Sequence, residues 1–364
     1  MDHLTRFIDC YVDTQTCNLK CEYCYIAQKN LFNNKLVKFD HSPQEISAAL
    51  SKKRFGTCLL NFCAGGETLL ADDVIPVIRA LLEAGHYVSV VTNGTLTERF
   101  RELAALPDGL KKHLFLKISF HYLEMKRLNM MERFFLNVRL AGDNGISFSV
   151  EITPCDSMIP YIEDIKNVCM RNLGAYCHVT IARDDRTYNI RHLSELSFEK
   201  YIQTWGSFDS ELFDYKTTIF YKHRNEFCYA GEYTMTVNLS NGSLRQCYCG
   251  KELCNIYDDP DAPIPFRAIG HGCRFYHCYN GHAFLSLGAI PKLDAPAYDT
   301  LRDRVTKDGE HWLEPEMQQF MSQKTCDNLP RYTLKQKLIA DYKSRDLIKQ
   351  TRKERLRNRL GGKK

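Results

Sequence analysis

Apolar and polar positions follow two rhythms over the first half of the chain. Short runs rich in β-branched and aromatic residues recur at 7–12, 58–62, 87–91, 115–120, 147–152 and 177–181. Such runs read as strands buried on both faces. Between them, at about 43–53, 72–84, 97–105, 123–141 and 157–172, apolar positions return with the helical period. Ser42-Pro43-Gln44-Glu45 supplies one of these helices with a capping serine, a proline at its first position and a glutamate at its third. Strands alternating with helices predict a parallel sheet with right-handed crossovers. Six such units suit an open or closed α/β barrel, in which chemistry gathers at the C-terminal ends of the strands.

The rhythm is lost after about residue 190. Residues 225–290 are rich in Cys, Gly, His and Tyr and show little periodicity. A segment of that kind buries little apolar surface alone, so a metal is a natural organiser. Helical patterning returns over 297–360. The expected division is a core barrel at 1–190, a helical connection at 191–224, the cysteine-rich region at 225–290, and C-terminal helices with a basic tail at 291–364.

Composition narrows the class. At 44% hydrophobic and 26% charged, the chain reads as an ordinary globular protein. No run approaches the roughly 18 apolar residues of a membrane span, and the N-terminal stretch has no apolar segment of a secretory signal. A cytoplasmic location is expected. In a reducing compartment, 16 cysteines point to metal or iron–sulfur ligation rather than to disulfides. Cys58, Cys169 and Cys177, set in apolar stretches, read as core thiols. Residues 331–364 carry 13 Lys/Arg against 3 Asp/Glu, so the rest of a chain whose net charge is +5 is mildly acidic. Such a tail, with Arg352, Lys353, Arg355, Arg357 and Arg359, could bind the phosphates of a nucleic acid. It lacks interleaved aromatics for base stacking, and a solvated helix or a dock for an acidic partner is the preferred reading.

Cys17, Cys21 and Cys24 follow the first predicted strand as C-x3-C-x2-C. Three thiolates on one loop can reach three irons of a cubane and leave the fourth open to a ligand. A zinc site is the alternative, although zinc sites usually draw their ligands from two spaced pairs. The stretch resembles the signature of the radical S-adenosylmethionine (SAM) superfamily. That resemblance implies a partial (β/α)6 TIM-like barrel and a 4Fe–4S cluster held by the three cysteines. It further implies SAM chelated by the open iron and Tyr23 near the adenine. After the second strand, Gly65, Gly66 and Glu67 stand where the family approaches the methionyl ammonium; glycines permit close backbone approach and a carboxylate accepts from an ammonium. Asn93 after the third strand is a plain Asn-Gly turn or, as the family order implies, approaches the ribose or carboxylate of SAM, and Ser119 after the fourth matches a family position near the ribose.

The cysteine-rich region opens with C-x13-G-x4-C from Cys228 through Gly242 to Cys247. This resembles the start of SPASM and twitch extensions, which hold auxiliary iron–sulfur clusters. Where the SPASM pattern continues as C-x2-C-x5-C-x3-C, this chain has Cys273-x4-Cys278, which argues for one auxiliary cluster rather than two. The expected ligands are Cys228, Cys247, Cys273 and Cys278, with Cys249 and Cys254 in reserve and His271 or His277 as substitutes. Buried thiols or a zinc knuckle are the plainer readings.

The resemblance implies an enzyme that cleaves SAM reductively to a 5′-deoxyadenosyl radical and modifies a peptide or a small polar substrate such as a sugar or aminosugar. A ferredoxin or flavodoxin would supply electrons. Glu151 and Arg183, at the expected barrel mouth, could hold a polar substrate or pair as strand-end ions. The stretches 275–277 and 279–282 could line the substrate side or pack around the cluster. The rival readings are an RNA-modifying radical SAM enzyme and a non-enzymatic, metal-stabilised nucleic-acid-binding protein.

Overall fold

The computed structural model of the chain describes residues 2–187, 189–279, 281–350 and 353. Six parallel strands form its centre: β1 (Arg6–Val12), β2 (Cys58–Ala64), β3 (Tyr87–Thr92), β4 (Leu114–Ser119), β5 (Ser147–Ile152) and β6 (His178–Val179). They pair in chain order, with Asp9 opposite Asn61 and Ser119 opposite Glu151. Helices join them in α/β alternation, so both faces of the strands are covered and their apolar residues are almost wholly buried. The fold is therefore an open α/β arrangement, one of the two that the patterning suited, and it agrees with the partial barrel that the resemblance implied.

Helix boundaries follow local chemistry. Ser42 and Glu45 form a reciprocal capping box ahead of Pro43–Ala49. The expected helix at 123–141 is two helices, Tyr122–Arg127 and Met131–Asp143, broken at Asn129, whose φ of 53° lies in the left-handed region that asparagine tolerates. The start of the one expected at 157–172 is a 3₁₀ segment, Asp156–Tyr161, with Pro160 inside it.

The cysteine-rich region is built onto the same sheet. After the short hairpin β7 (Arg183–Asp184) and β8 (Arg191–His192), the strand β9 (Thr234–Asn238) lies parallel to β1 on its free side. β10 (Ser243–Arg245) and β11 (Glu252–Asn255) extend it antiparallel. The nine strands form an open sheet with β11 and β6 at its edges. Gly242 makes the β9–β10 turn at φ 74°, and a Cβ there would lie 2.0 Å from the side-chain oxygen of Asn255, so the position favours glycine.

The segment 191–224 carries two helices, Phe198–Gly206 and Glu211–Ile219, the second packed against β6. The C-terminal segment clamps β5: Phe148 donates its N–H to the carbonyl of Trp312 at 3.0 Å, and the two rings stack. Among the described residues no helix is long and apolar enough to cross a membrane. The tail residues Arg352, Arg355, Arg357 and Arg359, and Asn280, lie outside the described residues; Lys353 is exposed.

Candidate active site

The C-terminal ends of β1 to β5 open onto one cavity of about 550 Å³. Its wall includes Cys17, Cys21 and Cys24, together with Tyr23, Gly65, Gly66, Glu67, Asn93 and Ser119. The structure thus brings together every residue that the first motif and the strand-end positions singled out.

The loop after β1 is held by the loop after β2. Gly66 donates its N–H to the carbonyl of Thr14 at 2.8 Å, and Glu67 donates to that of Thr16 at 2.9 Å. A Cβ on Gly66 would stand 1.9 Å from the Thr16 oxygen, and one on Gly65 would stand 2.9 Å from the Thr14 oxygen. The sequence suggested that these glycines admit a ligand. What they first admit is the backbone of the cysteine loop, because the two chains cross with no room for a side chain.

Glu67 is 2% exposed and ties β2 to β3. Its carboxylate accepts from the hydroxyl of Thr92 at 2.7 Å, the N–H of Asn93 at 2.7 Å and the N–H of Leu69 at 3.1 Å. Burial raises its pKa despite these bonds. Three donors leave a carboxylate one acceptor site. The amide nitrogen of Asn93 lies 3.8 Å from the sulfur of Cys17 and donates to Asn18 at 2.8 Å. Burial pushes the Cys17 thiol up to about 11 and raises Cys21 further, so metal binding there would release protons. Burial also depresses His121 to about 4. The Tyr23 hydroxyl and the Nδ1 of that ring share a hydrogen bond at 2.6 Å.

Sequence reasoning named Glu151 but missed the polar residues beside it. Asp9, Asn61 and Lys117 sit on largely apolar strands and line the cavity with Glu151. Asn61 donates to Asp9 and accepts from Ser89 at 2.7 Å and from Lys117 at 3.0 Å. Tyr248, from the cysteine-rich region, donates to Asp9 as well. Glu151 does not pair with Arg183. Its partner is Arg302, wholly buried, at 2.7 Å. Burial alone would raise the Glu151 pKa, but Arg302, Lys117 and Lys216 outweigh it and hold the carboxyl down to about 2. Arg183 instead faces Asp185 at 3.6 Å and lies over the ring of Tyr279. The polar position within each strand was a signal in the sequence. Lys216 and Arg302 arrive from distant segments with no local signature.

A second, smaller cavity of about 40 Å³ lies beside the first. Cys228, Cys247, Cys249, Cys273 and Cys278 line it among apolar side chains. Cys249, a reserve in the sequence reading, sits at the centre. It accepts from the thiols of Cys247 and Cys273, which lowers its pKa and raises theirs. Burial pushes Cys228 and Cys278 up to about 12. Cys254 is elsewhere, on β11, within the field of Arg54. His271 pairs with Asp341 at 2.8 Å, and His277 is buried against Phe220 and Tyr221; neither lines the cavity. Among the described residues no three His, Cys, Asp or Glu side chains converge tightly enough to grip a single ion. A cubane, with an iron at alternate corners, takes its thiolates from wider apart. Cys58, Cys169 and Cys177 are fully buried in the core.

Residues 11–154 match the Radical SAM superfamily. No curated protein matches the chain in sequence. Among solved structures, SuiB of Streptococcus suis bound to S-adenosylmethionine is 14% identical, with a TM-score of 0.49 over 72% of this chain and 67% of that one. The anSMEcpe structure with bound AdoMet is 16% identical, at 0.49 over 70% and 76%. BtrN in complex with AdoMet and 2-DOIA is 16% identical, at 0.35 over 70% and 80%.

Proposed function

We propose, from the match of residues 11–154 to the Radical SAM superfamily, that the chain is a radical SAM enzyme in which Cys17, Cys21 and Cys24 hold a 4Fe–4S cluster and the cavity binds SAM beside it. The observation that carries this reading is the single cavity wall shared by the three thiols, Glu67, Asn93 and Ser119. The donor set fits the group: three soft thiols on one loop, partly shielded from solvent, leave one iron without a protein ligand. When bound, the cluster supplies the electron that splits SAM into methionine and a 5′-deoxyadenosyl radical.

The chain's own residues bind and orient. Glu67 keeps one acceptor site for the methionyl ammonium, and its three existing bonds fix that oxygen in place. Asn93 sets its amide against Cys17. Tyr23, anchored by His121, offers its ring toward the adenine side. A 4Fe–4S cluster in the five-cysteine cavity, with a small one-electron carrier such as ferredoxin or flavodoxin as donor, completes the reading. The substrate is a peptide or a small polar molecule. SuiB, one of the similar structures, is also solved bound to its precursor peptide SuiA.

Anaerobically reconstituted protein should release 5′-deoxyadenosine and methionine from SAM under strong reductant. Alanine at positions 17, 21 and 24 together should abolish that release, read by mass spectrometry. Persistent cleavage in the triple variant would overturn the proposal.

A further inference from the structure

The two halves of the large cavity differ in charge. The cysteine loop, Glu67 and Asn93 follow β1, β2 and β3, whereas Lys117, Glu151 and Lys216 come from β4, β5 and the helix packed on β6. Lys117 is 7% exposed, Lys216 6% and Arg302 0%. These three cations face one carboxylate, Glu151, and Arg302 already engages it at 2.7 Å. The Lys117 ammonium donates to the amide oxygen of Asn61 at 3.0 Å, and the Lys216 ammonium donates to the hydroxyl of Thr180. Both acceptors are neutral, and the one carboxylate that the two lysines face, Glu151, is already bonded to Arg302. An ammonium has three N–H donors, and a buried cation without a hydrogen-bonded anionic partner is costly.

His282, on the same wall, adds a donor. Arg302 donates to its Nε2 at 2.6 Å, so the neutral ring carries its proton on Nδ1. That nitrogen is buried and has no hydrogen-bond partner among the described residues. This half of the cavity therefore offers positive charge and donors in excess of acceptors.

We propose that it is an anion subsite, in which Lys117 and Lys216 hold a carboxylate or phosphate group of the substrate. The inference rests on the reading of the cysteine half as the SAM site, and it adds the chemical class of the second ligand: a molecule anchored by a compact oxyanion. An oxyanion between the two lysines offsets their buried charge and accepts the unused N–H groups. It also orients the substrate, with its anionic end at β4–β6 and the remainder reaching toward the cysteine loop.

The test is calorimetric titration of inorganic phosphate into the reconstituted full-length protein, with and without saturating SAM. One phosphate per chain should bind in both conditions. Lys117→Gln and Lys216→Gln should each weaken it about tenfold or more, the loss of one charge-assisted contact, and Lys216→Arg should retain it. Exclusion of phosphate by SAM would assign the lysines to the carboxylate of SAM and overturn the proposal. Failure of the wild-type protein to bind phosphate would also overturn it, with no variant required to fold. So would equal binding by properly folded Gln variants. Phosphate binding by a protein that does not bind SAM would support the subsite and sink the proposed function, so the two failures are distinguishable.

Discussion

Gly66 shows how a single residue positions the site. The only space for its Cβ is occupied by the Thr16 carbonyl, 1.9 Å away, and backbone cannot swing aside as a flexible side chain can. Gly66→Ala must push the cysteine loop off β2 and stretch the two bonds that dock it, at 2.8 and 2.9 Å. The helices and sheet lie outside that crossing, so the variant should fold. It should incorporate less iron at Cys17, Cys21 and Cys24 and lose about tenfold or more in SAM cleavage, since a misplacement of about an ångström costs on the order of a hundredfold. Iron analysis and product release together check this; wild-type values in both would mean the loop moves freely. Residues such as Gly66, Glu67 and Asn93 were legible in the sequence because each stands beside its own strand end. Lys216, His282 and Arg302 were not, because distant segments deliver them and nothing near them in the chain marks the destination.

The strands were legible as elements, and their ends nearly so. The run at 147–152 is β5 to the residue, and that at 87–91 falls one short of Thr92. Long apolar β-branched runs between amphipathic helices leave little choice. β9 escaped notice, although Met235 and Val237 are its buried alternate positions; a five-residue alternation inside a cysteine-rich stretch is a weak signal. Also out of reach was the tie between β5 and the C-terminal segment through Glu151 and Arg302. Arg302→Met should remove a buried partner and destabilise the protein by about 3 kcal/mol, the lower end for a broken buried pair, since Lys117 and Lys216 still face the carboxylate. The sign with pH follows from the carboxyl held down to about 2. Its stabilising contribution is present above the ordinary glutamate range near 4.5 and is lost as pH falls through that value toward 2. The deficit of the variant against the parent should therefore be largest near neutral pH and narrow in acid. Urea unfolding at pH 7.5 and pH 4 reads it; an equal deficit at both would contradict the assignment.

At the scale of the whole molecule, the two cavities share a wall made by Tyr248, Tyr279 and Phe284. The region that holds the five thiols is not appended to the barrel; β9 to β11 continue its sheet beside β1. Two consequences follow if a cluster occupies the smaller cavity. First, it assembles independently of the cysteine loop after β1, because no ligand is common to both sites. The triple variant at 17, 21 and 24 should keep about four irons per chain, one cubane. Second, five thiols surround a group that needs four. Cys247 and Cys249 already touch through a hydrogen bond, so either can serve where the other is removed. Cys228→Ala in the triple background should lose the iron, as should the pair Cys247→Ala and Cys249→Ala together. Each of those two alone should retain most of it, and Cys254→Ala should be silent, since that thiol lies off the cavity. Loss of the metal should also loosen the sheet edge at β9 to β11, because the segment around the thiols has little periodic structure of its own and borrows order from what it binds. Iron analysis with Mössbauer spectroscopy, and proteolysis of the 225–290 stretch, give the two readouts. Zinc in place of iron, or a triple variant without metal, would remove the auxiliary cluster. Retention of iron by Cys228→Ala would show that Cys247, Cys249, Cys273 and Cys278 together suffice as the four ligands and that Cys228 is the dispensable thiol.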